Sequence, residues 1–344
     1  MKIKHIIRSD ARFTRQVVGE ASVVPIINNS TGSYFLKEDD TGVSMSKLIN
    51  YESRGVVVKN QESCYVLNTD NSYYAVREGR LEFVVSKNDL REDEILEDSW
   101  SIGDTVFFLT IIKVTYVSRL YKILPSSRPE ELWSDDRTQF IRAFHTHRGV
   151  MVVSRAGDYK SSVHFGPIDR DGKIVTRNVY EVGKSYDFIV HEGYLYIVSV
   201  PYNEKSQPTL TAISVDDLFV KWQMSLPKGF SMFRRIGESL YIGSTSKIMQ
   251  FGPEGIVREY IVLKQYLTHQ RVYHCISAND DFLLGAEIGS ELALFERRSG
   301  KLVSCWREEK HIVAPAIFLQ HHFVVPTADK ELLVYELPRI DGDS

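Results

Sequence analysis

The chain has 344 residues and a net charge of −3, so it offers no excess of positive charge to attract nucleic acid or an anionic membrane. Three cysteines are too few for a disulfide framework, which favours a reducing compartment, and no run of 18 apolar residues exists to span a bilayer. The N-terminal segment has only two consecutive apolar residues, Ile6 and Ile7, so no secretory signal is recognised there and a cytoplasmic location is expected.

A repeated pattern organises the chain. Each repeat contains an apolar second strand preceded by a turn, and these turns recur every 41–46 residues, at Gly19, Asn60, Gly103, Gly149, Gly193, Gly237, Asp280 and His321. An alternating third strand, a turn rich in Gly, Asn and Asp, and a fourth strand follow in most repeats. Trp133, Trp222 and Trp306 lie in that fourth strand at similar distances from the preceding turn. Four-stranded units of this length are the sequence signature of a β-propeller.

The period predicts a single all-β domain of eight blades. The predicted blades are residues 8–51, 52–90, 99–137, 140–183, 186–227, 230–264, 271–309, and 312–337 together with 2–7. The last unit lacks a fourth strand, while Lys2–Ile7 is spare. We therefore expect this N-terminal strand to pair with the last blade as its outer strand, which removes two exposed sheet edges. Seven blades are the alternative, because residues 8–54 are the least regular part of the chain.

Two segments carry a family resemblance. Leu292–Trp306, and more weakly Leu210–Trp222, resemble the repeat of the quinoprotein-like (PQQ-like and WD40-like) propeller superfamily, with an alternating strand, a turn and a tryptophan-bearing outer strand. The resemblance implies the fold. Quinone-dependent members use a vicinal disulfide, a Ca²⁺ site and a catalytic Asp, but this chain has no adjacent cysteines and only four tryptophans. We therefore predict no cofactor.

Candidate metal sites and nucleophiles have simpler explanations. His145 and His147 would face the same side of a strand and could begin a metal site, but we interpret them as surface or strand-end histidines. Asp169–Gly172 resembles the start of a Ca²⁺ loop, yet Tyr180 occupies the position of the bidentate Glu, which favours a hairpin turn. Cys64, Cys275 and Cys305 are expected to pack as small hydrophobic residues. No catalytic or metal-binding residue is predicted.

Two charged features indicate a binding face. Asp89–Asp98 has six acidic residues and one arginine, and it is predicted to form a loop between blades that could receive a basic partner, with a solvated loop that binds nothing as the alternative. The inner strands are predicted to line a central channel, and the residues where these strands begin would form its mouth on the same face. These positions hold arginine and aromatic residues, which are enriched at protein interfaces. The predicted partner-binding residues are Arg54, Asp93, Glu94, Glu97, Trp100, Arg142, Tyr186, Phe230, Arg234, Arg235, Arg271 and Tyr273, beside further entries at Arg12 and Arg15.

These features favour a non-catalytic interaction module that binds a protein partner through its loop-rich face and is monomeric by itself. One version is an immunity protein that covers the active site of a toxin. The alternative is a hydrolase or lyase that acts on a carbohydrate or small molecule at the channel mouth, where His, Asp or Glu would converge. Nucleic-acid binding is disfavoured by the charge balance.

Overall fold

Every regular element in the described part of the chain is a β-strand. The structure, a computed structural model, describes residues 1–11, 13, 26–29, 32–49, 53–59, 64–68, 73–77, 80–85, 94–102, 105–112, 118–123, 130–135, 138–146, 149–156, 162–167, 178–181, 184–200, 207–217, 219–227, 229–231, 233–236, 239–262, 272–287 and 290–339. Within these residues the strands form eight antiparallel sheets, seven with four strands and one with three. Each sheet is built almost entirely from strands that follow one another in the chain, so the all-β prediction is confirmed.

The first compact unit contains Met1–Ser53, Gly229–Phe251 and Ile256–Ser344. One of its sheets combines β1 (Ile3–Arg8) with β29 (Ile317–Phe318), β30 (His322–Pro326) and β31 (Glu331–Glu336). The others are β2–β4 (Ile26–Asn29, Gly32–Asp39, Gly42–Ile49), β21–β24 (Arg234–Ile236, Ser239–Ser244, Lys247–Gly252, Gly255–Ile261) and β25–β28 (Tyr273–Ala278, Phe282–Glu287, Glu291–Glu296, Leu302–Arg307).

The second compact unit contains Arg54–Lys228 and Gly252–Gly255. Two of its sheets are β5–β8 (Ser53–Lys59, Cys64–Asn68, Tyr73–Arg77, Arg80–Val85) and β9–β12 (Glu94–Ile102, Thr105–Ile112, Ser118–Ile123, Glu130–Asp135). The other two are β13–β16 (Thr138–Thr146, Gly149–Ala156, Ser162–Pro167, Asn178–Glu181) and β17–β20 (Lys184–His191, Tyr194–Val200, Thr209–Ser214, Val220–Ser225).

The N-terminal strand pairs as predicted. β1 runs antiparallel to β31, with Ile6 opposite Leu333 and Ile7 opposite Leu332, and it is the outer strand of its sheet. The expected pairing of Lys2–Ile7 with the last sheet is confirmed. β1 thus covers an edge of β31 that would otherwise be open to another chain.

Burial follows strand position within a sheet. All six residues of the middle strand β26 are buried, and β27 is buried except for its last residue. The outer strands β20 and β28 instead alternate between half-buried and exposed residues over most of their length. Strands covered on both faces need continuous apolar runs, and outer strands with one wet face alternate, which is why the apolar runs marked the middle strands in the sequence.

In the first unit, neighbouring sheets pack face to face through three apolar cores. The first core joins β21–β24 to β25–β28, the second joins β25–β28 to the sheet containing β1, and the third joins that sheet to β2–β4. Cys275 is buried in the second core, as its apolar strand predicted. Trp306 packs there against Tyr335 of the next sheet, with ring centroids 5.6 Å apart. The tryptophan of the fourth strand therefore belongs to the contact between sheets.

The closest approach in the first core is at Gly243 of β22. A Cβ atom on this residue would lie 1.9 Å from the carbonyl oxygen of Tyr273 in β25. Gly243 also accepts from the Ser231 amide at 2.7 Å, and its own amide donates to the Ser231 hydroxyl at 2.7 Å. Only glycine fits here, because backbone from the next sheet occupies the place of a side chain.

No helix in the described ranges has the length and apolar character that crossing a membrane requires.

Candidate functional site

Most of the predicted partner-binding residues lie in strands. Five of them are placed there by backbone alone: Arg54 in β5, Glu97 and Trp100 in β9, Arg142 in β13 and Tyr186 in β17. Asp93 and Arg271 lie outside the described residues, as do Arg12, Arg15, His147 and Asp169–Gly172. The binding roles of all these residues stay predictions.

The four predicted residues of the first unit differ in exposure. Phe230 is half-buried and bridges to Ser244, Arg234 is half-buried, and Arg235 is exposed. Tyr273 is only 2% exposed. Its ring packs inwards because Gly285 of the adjacent strand leaves room for it, with a tyrosine carbon 3.1 Å from the place of a glycine Cβ, and its binding role stays a prediction.

Glu94 is buried too, and the predicted acidic loop is wrong over its second half. Strand β9 begins at Glu94, so residues 94–98 are strand. The Glu94 carboxylate accepts from the Tyr121 hydroxyl at 2.9 Å and lies 3.4 Å from Nε of Arg119. Arg119 also reaches Glu131 at 3.3 Å. Arg119 and Tyr121 are two apart on β11 and face the same side; the partners of Glu94 thus come from a strand distant in sequence.

Alkaline pH is expected to weaken this network. Burial, with the Glu94 carboxylate next to the hydroxyl, raises the pKa of Tyr121 to about 12. An unfolded tyrosine has a pKa of about 10, so above that pH the unfolded state binds fewer protons than the folded state and stability falls until about pH 12. Urea unfolding at pH 9–12 should give a shallower decline for Tyr121→Phe than for the wild type. Identical declines would contradict the assignment.

A groove of about 500 Å³ lies at one end of the β25–β28 sheet. We call it the carboxylate groove. It is lined by Ser290, Arg307, Glu308, Glu309 and His311. Ser290 belongs to the β26–β27 turn, Arg307 ends β28, and the other three residues belong to the connection that leaves β28 for β29, so both walls come from the same end of the sheet.

Backbone hydrogen bonds fix the connection that forms one wall. The Glu308 amide donates to the Ser290 carbonyl at 2.8 Å, which joins the connection to the β26–β27 turn. The Ala328 amide donates to the His311 carbonyl at 2.8 Å, which joins it to the β30–β31 turn. The loop is therefore held on both sides, and its side chains are presented by a rigid backbone.

Glu308 is oriented by two aromatic side chains. Its carboxylate accepts from Nε1 of Trp306 at 2.9 Å and from the hydroxyl of Tyr335. Burial and the hydrogen bond to Glu308 raise the pKa of the Tyr335 hydroxyl above its ordinary value, so the group stays a donor. Glu308 thus keeps a fixed position, and no ion pair within the described residues neutralises it.

Two buried carboxylates lie behind the groove. Glu291, 5% exposed, pairs across the strands with Arg307, and Glu287, 6% exposed, ends β26. Besides burial and the nearby Cys305 thiol, both carboxylates raise the pKa of the Tyr273 hydroxyl. Arg307 donates from Nε to the Ser290 hydroxyl at 3.0 Å. The lining of the groove itself holds two carboxylates, those of Glu308 and Glu309, and one guanidinium, that of Arg307.

Glu331 does not add to this excess, because two cations face it. Arg8 lies 3.4 Å away, and Lys310 forms a second ion pair with the same carboxylate. The sequence prediction missed the groove, although Glu308 and Glu309 occupy the same place after their fourth strand as Asp89–Asp98 does. Acidic residues in the connection after the fourth strand were used as a sign of a binding loop in the second predicted blade. The same criterion would have identified Glu308 and Glu309 in the seventh.

Comparisons of the sequence identify no relative. No family model matches the chain, and no curated protein matches it.

Comparisons of the structure do find similar folds. The chain resembles the computationally designed Ika8 protein at a TM-score of 0.64 and 10% identity, over 96% of this chain and 98% of that one. It resembles Saccharomyces cerevisiae Sqt1, a WD40 propeller, at 0.59 and 10% identity, over 97% and 98%. It resembles BamB from Moraxella catarrhalis, a PQQ-like β-propeller, at 0.52 and 12% identity, over 98% and 99%. The predicted propeller likeness is confirmed at the level of the fold.

Proposed function

We propose that this protein is a non-catalytic interaction module whose carboxylate groove receives a basic segment of a protein partner. The observation that carries the proposal is the charge of the groove lining, where the carboxylates of Glu308 and Glu309 outnumber the single guanidinium of Arg307. Complementary charge steers encounter and selects partners, and carboxylates already fixed in place need no ordering when the partner arrives. A volume of about 500 Å³ accommodates a long cationic side chain with part of its backbone.

We also propose that the eight sheets are the blades of one closed ring. The repeat of 41–46 residues, the eight sheets and the pairing of β1 with β31 support this arrangement. In a closed ring the first and last blades pack against each other, so neither is left without a neighbouring sheet. End-on electron micrographs with eight lobes would support the ring, and seven lobes would contradict the blade count.

Reversing one charge on the groove tests the proposed function. Glu309 is exposed and makes no structural hydrogen bond in the described part of the chain, so Glu309→Lys is expected to leave folding intact. Binding of Lys- and Arg-rich peptides, selected on an array of mixed composition, should weaken about tenfold at low salt. The difference should shrink at about 0.5 M salt, because exposed charges are screened. Fluorescence anisotropy with labelled peptides measures both.

Glu254→Lys is the matched control. Glu254 is an exposed carboxylate in the β23–β24 turn, away from the groove lining, and its reversal changes the net charge equally. Peptide affinity should therefore stay at the wild-type value. Selection of neutral or acidic peptides, or equal losses in the two variants, would overturn the proposal.

The immunity version is a special case of the same proposal. Its partner would be a toxin whose basic active site occupies the carboxylate groove. Co-purification from native lysate with mass spectrometry, repeated with Glu309→Lys, tests it. A toxic enzyme captured by the wild type and lost from the variant would support it, and a captured partner without toxicity would contradict it.

The enzymatic alternative also has a specific observation in its favour. His311 lies in the groove with Glu308 and Glu309, and these are residue types that serve general acid and base catalysis. A hydrolase or lyase would turn over chromogenic glycosides or related substrates, and His311→Ala would abolish the turnover. An interaction module gives no turnover with either protein.

A further inference from the structure

A second cavity, of about 320 Å³, lies where turns of two neighbouring sheets meet in the first unit. We call it the arginine pocket. It is lined by Gln250, Val257, Arg258, Asp280, Arg297 and Arg298. These residues lie near the β23–β24 turn, the β25–β26 turn and the β27–β28 turn, and none of them lines the carboxylate groove.

Arg297 is fixed by three neutral acceptors. It donates from Nε to the Tyr241 hydroxyl at 3.0 Å, from one terminal nitrogen to the Asn279 carbonyl at 2.7 Å, and from the other to the Ser239 hydroxyl at 3.3 Å. These bonds orient the guanidinium without neutralising its charge. Among the described residues, two of its five N–H groups have no acceptor and can donate to a ligand.

Arg258 is held in a similar way. One terminal nitrogen donates to the carbonyl oxygens of Arg297, at 2.6 Å, and Arg298. The Tyr260 hydroxyl lies 3.0 Å from the same Arg297 carbonyl and 2.9 Å from the amide oxygen of Gln250. The β27–β28 turn is thus tied to β24, and the charge of Arg258 again meets only neutral oxygens.

Arg298 completes the cluster as an exposed side chain. No ion pair joins its guanidinium, or those of Arg258 and Arg297, to a carboxylate within the described ranges. Asp280 is the single acid that lines the pocket. Three cations against one anion leave a positive excess around an open cavity, two of the cations being oriented in advance.

From this geometry we infer that the arginine pocket binds a phosphate monoester. A phosphate dianion offers several oxygens to planar guanidinium donors, and it matches the excess charge better than a single carboxylate does. The side chain of Val257 is 61% exposed at the pocket and provides an apolar surface for the group that carries the phosphate. The volume is at the lower end for small-molecule sites, which suits a small ester.

Calorimetric titration with phenyl phosphate, inorganic phosphate and benzoate tests the inference at constant ionic strength. Phenyl phosphate should bind most tightly, inorganic phosphate more weakly, and benzoate weakest. Arg298→Ala should weaken phenyl phosphate about tenfold, as expected for the loss of a charged hydrogen bond. Its urea midpoint should not change, because the Arg298 side chain is exposed and its guanidinium makes no hydrogen bond or ion pair within the described residues. Arg298→Lys should restore part of the affinity.

Arg339→Ala is the control, since Arg339 is an exposed arginine outside the pocket. Its affinity for phenyl phosphate should equal that of the wild type. No binding by the wild type, equal binding of benzoate, or equal losses in Arg298→Ala and Arg339→Ala would overturn the assignment. Glu309→Lys should bind phenyl phosphate normally, so this result is independent of the carboxylate groove.

Discussion

Gly243→Ala is expected to lower the free energy of unfolding by about 4 kcal/mol, which places it among the most damaging single substitutions for a core position. The added Cβ would lie 1.9 Å from the carbonyl oxygen of Tyr273, and no side-chain rotation can relieve a clash between two backbones. Either the two sheets separate or the hydrogen bonds between Gly243 and Ser231 break. Urea unfolding followed by circular dichroism measures the loss.

Gly285→Ala is the matched control for this prediction. Its nearest atom is the terminal carbon of Ile248, 2.6 Å from the place of the Cβ, and an isoleucine side chain can move away. We expect a cost of about 1–2 kcal/mol, as for modest overpacking. If the two glycine variants had the same urea midpoint, the close approach between the two sheets would not be a determinant of stability.

Glu94→Ala is expected to cost about 3–5 kcal/mol, the range for removing one partner of a buried ion pair. Arg119 is 7% exposed and would keep its charge without the buried carboxylate, and the Tyr121 hydroxyl would lose its acceptor. The urea midpoint measures this change as well, with no ligand or partner required.

Glu131→Ala removes the other carboxylate that faces Arg119 and serves as the comparison. The Glu131 side chain is 39% exposed, so its ion pair with Arg119 is screened by water. The expected cost is below about 1 kcal/mol. A larger loss for Glu131→Ala than for Glu94→Ala would show that burial does not set the strength of this network.

Period and apolar runs were enough to predict an all-β chain of repeated antiparallel sheets. Middle strands such as β26 are buried on both faces, so their continuous apolar sequence is visible without any knowledge of their neighbours. The pairing of Lys2–Ile7 could be predicted because the last sheet lacked one strand and an open sheet edge is unfavourable. Both features follow from rules that act within one repeat.

The site residues were harder to predict because burial depends on contacts between strands. Glu94 lies in a run of acids that resembles a solvated loop, and only Arg119 and Tyr121 on another strand make its burial possible. Tyr273 was expected at the surface, and the glycine that admits its ring is twelve residues further along. The fixed position of the Glu308 carboxylate likewise depends on contacts between strands, since Trp306 of β28 and Tyr335 of β31 both donate to it.

The register of β1 against β31 has a consequence for synthesis on the ribosome. Ile6 emerges first, whereas its partner Leu333 is translated more than three hundred residues later. β1 therefore stays unpaired in the nascent chain while the other sheets form. Pairing between strands so far apart in sequence is slow. A chaperone that binds unpaired strands would protect this segment during synthesis. If translation stopped before β31, the truncated chain would keep β1 without its partner strand and would be prone to aggregate through it.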